Sequence, residues 1–421
     1  MIHPISPATT RSPRRVAIAL LLILSLVSAA PAAAANPPGA ADAGVITDWN
    51  AVAVTAIPGN PAAFLNYAIV HLAMYNAVVG ITGEYELYQW DVRGPAKASP
   101  EAAAAAAAHR VLMTYFGHTH AATIDAQLVA SLGNVPDGVR EQQGIRYGLE
   151  AADHIIALRT GDGRGAAVTV PVGDAAGEWN PIPPQTGMAV PWLGGVTPLA
   201  VDSLTLFDPG APPAIGSALY RAELAEVRAV GAFRTDPADE TIGTANYFAG
   251  IPFGPMEVGL RKFVTDQGYD ISDSARLMAA TNTSIADAIG TAWNAKLRYM
   301  WWRPLQAIRE VMDDGDPLTT GDAAWTSLLP APPYPEWPSG LCSVVGAIST
   351  SLQRLTGDVD LTMVAPSGDS RHWTDKGELD RAAVNARVWS GIHFRSSDQK
   401  AIEIGTSVTN YVLDRYFAPN D

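Results

Sequence analysis

The sequence predicts an all-α protein, and three observations support that fold class. Apolar residues recur with a period of 3.6 over residues 62–79, which is typical of a packed helix. Ser99, Pro100 and Glu101 form a capping signal for a helix that we expect to reach Tyr115. Alternating stretches that would indicate strands are almost absent. Further helices are predicted near residues 136–160, 217–232, 236–249, 273–302, 341–355, 375–389 and 398–416, so the chain is expected to form helical bundles.

Two stretches rich in glycine and proline interrupt the helical pattern, at residues 161–213 and 329–338. The first is too long for a simple connection between helices. It could be a flexible linker, but Trp179 and Trp192 favour an ordered loop over the bundle. The second leads directly into the central motif described below.

The first 35 residues have the composition of a secretory signal peptide. Arg11, Arg14 and Arg15 precede an apolar run over residues 16–27, and small residues follow as far as Ala35. This run is shorter than the roughly 20 residues that span a bilayer. We therefore predict cleavage after Ala35, by the general or the twin-arginine route, and a secreted protein. Residues 36–421 are expected to form one helical domain without an integral membrane segment.

Composition and charge narrow the possible partners. The 421-residue chain is 48% hydrophobic and 17% charged, as expected of a globular protein. Its formal charge of −14 disfavours nucleic acids and anionic membranes, which bind basic surfaces. The single cysteine, Cys342, excludes an internal disulfide and is either a buried small side chain or a thiol nucleophile. Any basic cluster in so acidic a chain is informative.

The first basic cluster is formed by Lys296 and Arg303 in the segment KLRYMWWRP. Seven residues of regular helix would place these side chains about 20° apart, so both could reach one anion. Pro304 disfavours helical geometry at Arg303 and predicts a helix end or kink there. Taken alone, the pair is more typical of a solvated helix face.

The second motif is Pro-Ser-Gly in the segment YPEWPSGLCSVVG. Ser339 is predicted to cap the helix that follows. Unpaired N–H groups at a helix start favour an anion, and Gly340 would let its backbone approach closely. Alone, this is an ordinary junction between a turn and a helix.

The third motif is ARVWSGIHFRSSD, in which Arg387 and His393 are six residues apart. On a regular helix they would point to different sides, about 240° apart. Gly391 is expected to end the helix and to turn His393 back toward Arg387. A histidine in such a segment is otherwise more typical of a buried, hydrogen-bonded core position.

These three motifs, in this order, resemble those of the vanadium-dependent haloperoxidase and type 2 acid phosphatase superfamily. The segments VITDWNAVAV, FLNYAIVHLAMYNAVVGI, GEWNPIPP and SALYRAELAEVRAVG resemble its secreted bacterial haloperoxidase-like branch. The resemblance implies two four-helix bundles, with long loops over one pocket that holds vanadate or phosphate. It also implies that His393 is the axial vanadium ligand or, in a phosphatase, the nucleophile, and that His393 and Lys296 are catalytic. The implied oxoanion-binding set is Lys296, Arg303, Ser339, Gly340, Arg387 and His393.

One position departs from the family pattern. Both branches place a histidine after Pro-Ser-Gly, where it handles protons, and this chain has Leu341. His372 is a possible substitute acid–base group. Three functions stay open on this evidence: a haloperoxidase in which vanadate-bound peroxide oxidises halide, a phosphomonoester hydrolase, or an oxoanion-binding protein without peroxidase activity.

The resemblance also implies the small molecules involved, namely hydrogen peroxide, halide and an organic acceptor, or a phosphate ester. We expect neither haem nor zinc, because the histidines have no spacing typical of metal ligands. The HTH tripeptide at residues 118–120 is expected in a surface turn. The oligomeric state is not predicted.

Overall fold

Twelve α-helices and one β-hairpin make up the regular structure in the computed structural model, which describes residue 1 and residues 42–310 and 315–420. The predicted signal peptide lies outside the described residues. The helices are α1 (Gly44–Ala56), α2 (Ala63–Thr82), α3 (Pro100–Gly133), α4 (Val139–Leu158), α5 (Ala218–Val230), α6 (Glu240–Gly250), α7 (Gly254–Gln267), α8 (Ile271–Tyr299), α9 (Pro304–Glu310), α10 (Gly340–Thr356), α11 (Lys376–Trp389) and α12 (Arg395–Leu413). The hairpin pairs β1 (Leu361–Val364) with β2 (Ser370–Trp373) in antiparallel register.

The first group of helices is α1 to α4, with α2 at its centre. Helix α2 packs against α1, α3, α4 and α8, and it is apolar all round because it is covered on all sides. It is long and apolar enough to cross a membrane by length and composition, but 94% of that window is buried in this fold. Ser99 caps α3 as predicted, with its Oγ accepting from the N–H of Ala102.

The second group of helices is α8, α10, α11 and α12. The 29-residue α8 packs against α2 as well as against α10 and α12, so it joins the two groups. These helices carry or flank all three predicted motifs. The all-α prediction is therefore confirmed, with the short hairpin as an addition.

The long glycine- and proline-rich loop is ordered, as Trp179 and Trp192 suggested. Its Trp179 is completely buried, and Pro191–Gly195 forms a short 3-10 helix. The carboxylate of Asp287 on α8 accepts from the backbone N–H groups of Leu199, Ala200 and Val201, at 2.7, 2.7 and 2.9 Å. These three hydrogen bonds hold the loop on α8.

Several predicted boundaries were wrong. The tripeptide at residues 118–120 lies within α3, which continues to Gly133, and not in a turn. The helix predicted to reach residue 302 ends at Tyr299, because Met300 adopts a left-handed conformation with φ 44°. Helices α1, α7 and α9 and the hairpin had not been predicted, since their short amphipathic stretches do not stand out from the neighbouring loops.

Candidate functional site: a buried anion pocket

Lys296 and Arg303 are brought together by a helix end, not by a shared helical face. Lys296 lies in the last turn of α8 and Arg303 immediately precedes α9. The chain breaks at Met300 between them, so the argument from seven residues of regular helix was wrong. A helix end does occur, as Pro304 suggested, but at Tyr299 and not at Arg303. Both side chains are completely buried, which excludes the solvated helix face.

A short backbone segment, residues 334–336, holds both cations. The ammonium of Lys296 donates to the carbonyls of Pro335 and Glu336 at 2.7 and 3.0 Å. Arg303 donates from Nε to the carbonyl of Tyr334 at 3.0 Å. The ring of Tyr334 lies 5.1 Å from Lys296 Nζ and 5.0 Å from the guanidinium carbon of Arg303. Neutral carbonyls and an aromatic face orient these cations without cancelling their charge.

Ser339 begins α10 as predicted, and its Oγ accepts from the N–H of Cys342. Among the described residues, the N–H groups of Gly340 and Leu341 donate to no partner, which leaves the helix start able to bind an anion. Gly340 has a second role. A β-carbon there would lie 2.7 Å from the ring of Trp293, so glycine lets this ring pack against the helix start.

Gly391 ends the third motif's helix as predicted. Helix α11 stops at Trp389, and Gly391 has a φ of 74° and lies against Gly231, whose carbonyl oxygen would be 2.2 Å from an added β-carbon. The chain then turns and buries His393. Arg387, near the end of α11, is 6% exposed.

His393 has a defined tautomer. Its Nε2 lies 3.0 Å from Arg303 Nη1, and its Nδ1 lies 2.8 Å from a carboxylate oxygen of Glu336. Since a guanidinium can only donate, Nε2 must accept, and Nδ1 carries the proton of the neutral ring. Burial, with Arg303, Arg387 and Lys296 nearby, lowers the pKa of His393 well below its ordinary value. The ring is therefore neutral, with its lone pair on Nε2.

Glu336 is a site residue that the sequence analysis missed. It is completely buried, and its Oε1 also accepts from the N–H of Phe394 at 3.0 Å. Burial raises the pKa of Glu336 to about 7, against the opposing effect of Arg303 and Lys296. Its one sequence signal was a charged residue within an otherwise apolar Pro-rich segment.

Asp398 was missed as well. It is completely buried near Ser339, and burial raises the pKa of this carboxyl well above its ordinary range, with Glu336 adding to the shift. The Sγ of Cys342 donates to Asp398 at 3.5 Å. Burial also raises the pKa of this thiol, so Cys342 is the buried small side chain and not a nucleophile.

Cationic charge exceeds anionic charge in the pocket. Three cations, Lys296, Arg303 and Arg387, face two carboxyl groups whose pKa values are raised. Burial and the neighbouring cations lower the pKa of Lys296 well below its ordinary value and that of Arg303 to about 10. Arg303 Nη2 and Arg387 Nε are buried donors that have no hydrogen-bond partner within the described part of the chain. Buried donors of this kind are costly unless they are paired, so the arrangement suits a buried anion.

Leu341 and His372 lie in different places. Leu341 borders a cavity of about 330 Å³ that also contacts Gly340 and Arg387. His372 lies on β2 with a side chain that is 52% exposed, and its ring contacts Thr362 and Asp360. It is not among the residues that line the cavity, and none of its contacts involves the anion pocket. The geometry therefore gives no support to His372 as the substitute acid–base group.

The chain is similar to known vanadium haloperoxidases. Residues 276–420 match the family model of the VCPO second helical-bundle domain. A 93-residue segment is 36% identical to the vanadium chloroperoxidase of Curvularia inaequalis, and this alignment spans 20% of this chain and 15% of that protein.

Two solved structures share the fold. The crystal structure of the first bacterial vanadium-dependent iodoperoxidase matches with a TM-score of 0.75 and 23% identity, over 90% of this chain and 96% of that one. A holo-type bacterial vanadium-dependent chloroperoxidase matches with a TM-score of 0.69 and 19% identity, over 85% of this chain and 93% of that one. Residues 276–420 are thus similar to the second helical bundle of vanadium chloroperoxidase, and most of the chain shares the fold of the two bacterial enzymes.

Proposed function

We propose that this protein is a haloperoxidase-like enzyme that binds vanadate and uses hydrogen peroxide to oxidise halide. The observation that carries the proposal is the set of unpaired buried donors around His393 Nε2. A tetrahedral oxoanion needs several hydrogen-bond donors and a balancing positive charge, and both are present here. The residues therefore fit vanadate.

Each member of the pocket has a separate part in holding the oxoanion. Arg303 Nη2, Arg387 Nε and the third N–H of Lys296 would donate to its oxygens, and the N–H groups of Gly340 and Leu341 would do so from the helix start. His393 Nε2, which carries the lone pair because Glu336 keeps the ring proton on Nδ1, would hold the vanadium in place of its hydrogen bond from Arg303 Nη1. Vanadate, when bound, activates hydrogen peroxide for two-electron oxidation of the halide.

A residue other than Leu341 has to transfer the protons of the reaction. Leucine neither donates nor accepts, and loss of a general acid–base group typically costs about 10² to 10⁴ in rate. Lys296 is the group that we assign to this task, because burial lowers the pKa of its ammonium and so eases release of a proton from Nζ. Slow turnover is expected. A secreted location, proposed from residues 1–35, would give the enzyme access to external halide.

A first experiment measures binding and turnover separately on the purified protein. Orthovanadate binding is measured by calorimetry, and bromide oxidation is measured with orthovanadate and hydrogen peroxide present. We expect binding in the wild type, its loss in His393→Ala, and faster bromide oxidation in Leu341→His. Halogenation in neither the wild type nor Leu341→His would overturn the proposal.

The same protein distinguishes the two alternatives. Hydrolysis of an aryl phosphate that is abolished by His393→Ala would establish a phosphomonoester hydrolase, with His393 as the nucleophile. Binding of orthovanadate or phosphate with neither activity would establish an oxoanion-binding protein, as Leu341 allows.

A further inference from the structure

The cavity beside the anion pocket has a mainly apolar lining. Its walls include the rings of Phe64, Phe253, Trp293 and Tyr334, together with several prolines and aliphatic side chains. Of the described residues that line it, Arg387 alone is charged. Such a lining suits the apolar body of an organic molecule and not a second anion.

We propose that this apolar cavity binds the organic substrate, and that the substrate is a flat, uncharged arene of about two fused rings. A dry cavity of about 150 Å³ holds benzene, and this one has a volume of about 330 Å³. The lining is rich in aromatic and proline rings, and aromatic side chains pack favourably against a planar aromatic ligand. The ligand's size and shape therefore follow from the walls.

Contact with the anion pocket makes the cavity a substrate site. Arg387 and Gly340 border both spaces, so an arene in the cavity lies next to the oxoanion-binding residues. A single polar substituent, such as a phenolic hydroxyl, can be directed at the guanidinium of Arg387. The rest of the ring system contacts only uncharged residues.

Leu341 acquires a role in this arrangement. It lies three residues before Val344 on α10, so both side chains project from one helical face, and both line the cavity. An imidazole at position 341 would lose its hydration when an apolar ligand enters. Leucine keeps this wall apolar, at the expense of the acid–base group found in the family pattern.

Use of the arene as a substrate rests on the proposed function. In that reaction one hydrogen peroxide, one halide ion and one proton convert the arene into a halogenated arene and two waters. The halide is oxidised by two electrons, the peroxide oxygens are reduced, and the ring hydrogen leaves as a proton that ends in water. Binding of the arene needs none of these reactants, so it can be tested alone.

The test uses 2-naphthol as the probe, titrated calorimetrically into the full chain without vanadate, peroxide or halide. Ala249 is exposed and lies at the cavity wall, so Ala249→Trp can fill the cavity without disturbing the core. Ala122 on α3 is equally exposed and does not line the cavity, so Ala122→Trp is the matched control. We expect Ala249→Trp to weaken 2-naphthol binding about tenfold or more, and Ala122→Trp to change it by less than about twofold.

Leu341→His separates this proposal from the proposed function. The cavity proposal predicts that the variant binds 2-naphthol about tenfold more weakly, whereas the proposed function predicts faster bromide oxidation in the absence of any arene. Undetectable binding of 2-naphthol by the wild type, or equal binding by the two tryptophan variants, would overturn the cavity proposal and leave the proposed function intact. Binding that depends on Ala249 without any bromide oxidation would support the cavity and overturn the reaction.

Discussion

Two completely buried glutamates, Glu336 and Glu257, are surrounded by similar residue types but by different net charge. Each has a buried histidine and an arginine close by, and burial raises the pKa of each carboxyl to about 7. Glu336 belongs to the anion pocket. Glu257, on α7, belongs to a second cluster of polar side chains. The other members of this cluster are Asn50, His71, Arg261 and Asn282.

The difference lies in what pairs the charges. In the second cluster, Asn50 donates to Glu257 at 2.6 Å and to His71 Nε2 at 2.7 Å, and it accepts from Arg261 at 2.6 Å. One amide thus connects one anion, one cation and a neutral histidine, whose pKa burial lowers to about 3. In the anion pocket three cations face two carboxyl groups whose pKa values are raised. Unpaired atoms occur in both clusters: among the described residues, His71 Nδ1 and Glu257 Oε1 lack partners in the second cluster, whereas the anion pocket has unpaired arginine donors and adjoins a cavity.

The largest expected effect concerns the amide that pairs the second cluster. Asn50→Ala would leave the buried Glu257 and the half-buried Arg261 without this partner, so we expect the free energy of unfolding to fall by about 3 to 5 kcal/mol. Urea denaturation measures this change in the free energy of unfolding. The exposed Asn246→Ala is the control and should stay within about 0.5 kcal/mol. An equally small change for Asn50→Ala would contradict the pairing role.

Glu257 should also make stability depend on pH. Its folded pKa, about 7, lies above its ordinary value of 4.5, so its stabilising contribution is fully present below about 4.5 and is lost as pH rises through about 7. We expect Glu257→Gln to flatten this decline, by at most about 3 kcal/mol. Urea unfolding over a pH series measures it, and an unchanged slope would contradict the assignment. Glu336, Asp398 and Asp287, whose pKa values are raised as well, contribute in the same direction, so part of the slope should remain.

The charge excess predicts a difference between two arginines. Arg387→Met removes an unpaired buried donor of the anion pocket, and we expect orthovanadate affinity to fall about 100-fold. Arg261→Met removes the cation of the second cluster and should change that affinity by less than about twofold. Calorimetric titration of both variants with orthovanadate measures this difference. Equal losses of orthovanadate affinity in the two variants would contradict the comparison between the clusters.

Glu336 should act through His393 and not through the anion. Glu336→Gln removes a negative charge from the pocket, so anion affinity should not weaken, but it disturbs the partner that keeps the proton on Nδ1. Such partners of a metal-binding histidine typically contribute about 10- to 100-fold. We expect a loss of that size in kcat for bromide oxidation without a weaker orthovanadate Kd. A weaker Kd with unchanged kcat would assign Glu336 a purely structural role.

The smallest expected effect is at His372. Its ring is half-exposed on β2 and contacts Thr362 and Asp360. We expect His372→Ala to leave both orthovanadate affinity and bromide oxidation within about twofold of the wild type. A large loss of turnover alone would restore His372 as the acid–base group.

Much of the fold and half of the site chemistry were predictable from local pattern. Helical periodicity identified the long helices, Ser339 was recognised as a cap, and Gly391 as a helix end. The break at Met300 was misplaced, because a left-handed non-glycine residue has no reliable sequence signal. Glu336 and Asp398 were missed, because a single carboxylate in a Pro-rich or helical segment is normally solvated.

The sequence by itself determined the helical class, the basic motifs and the substitution of Leu341, since each depends on residue type and short-range spacing. Only the tertiary structure decided that Lys296, Arg303 and Arg387 share one buried space, and that Glu336 sets the tautomer of His393. These contacts join residues far apart in the chain, and their energies depend on burial, which no single segment specifies. The tertiary structure also decided what separates Glu336 from Glu257, namely how many cations lie near each carboxyl group.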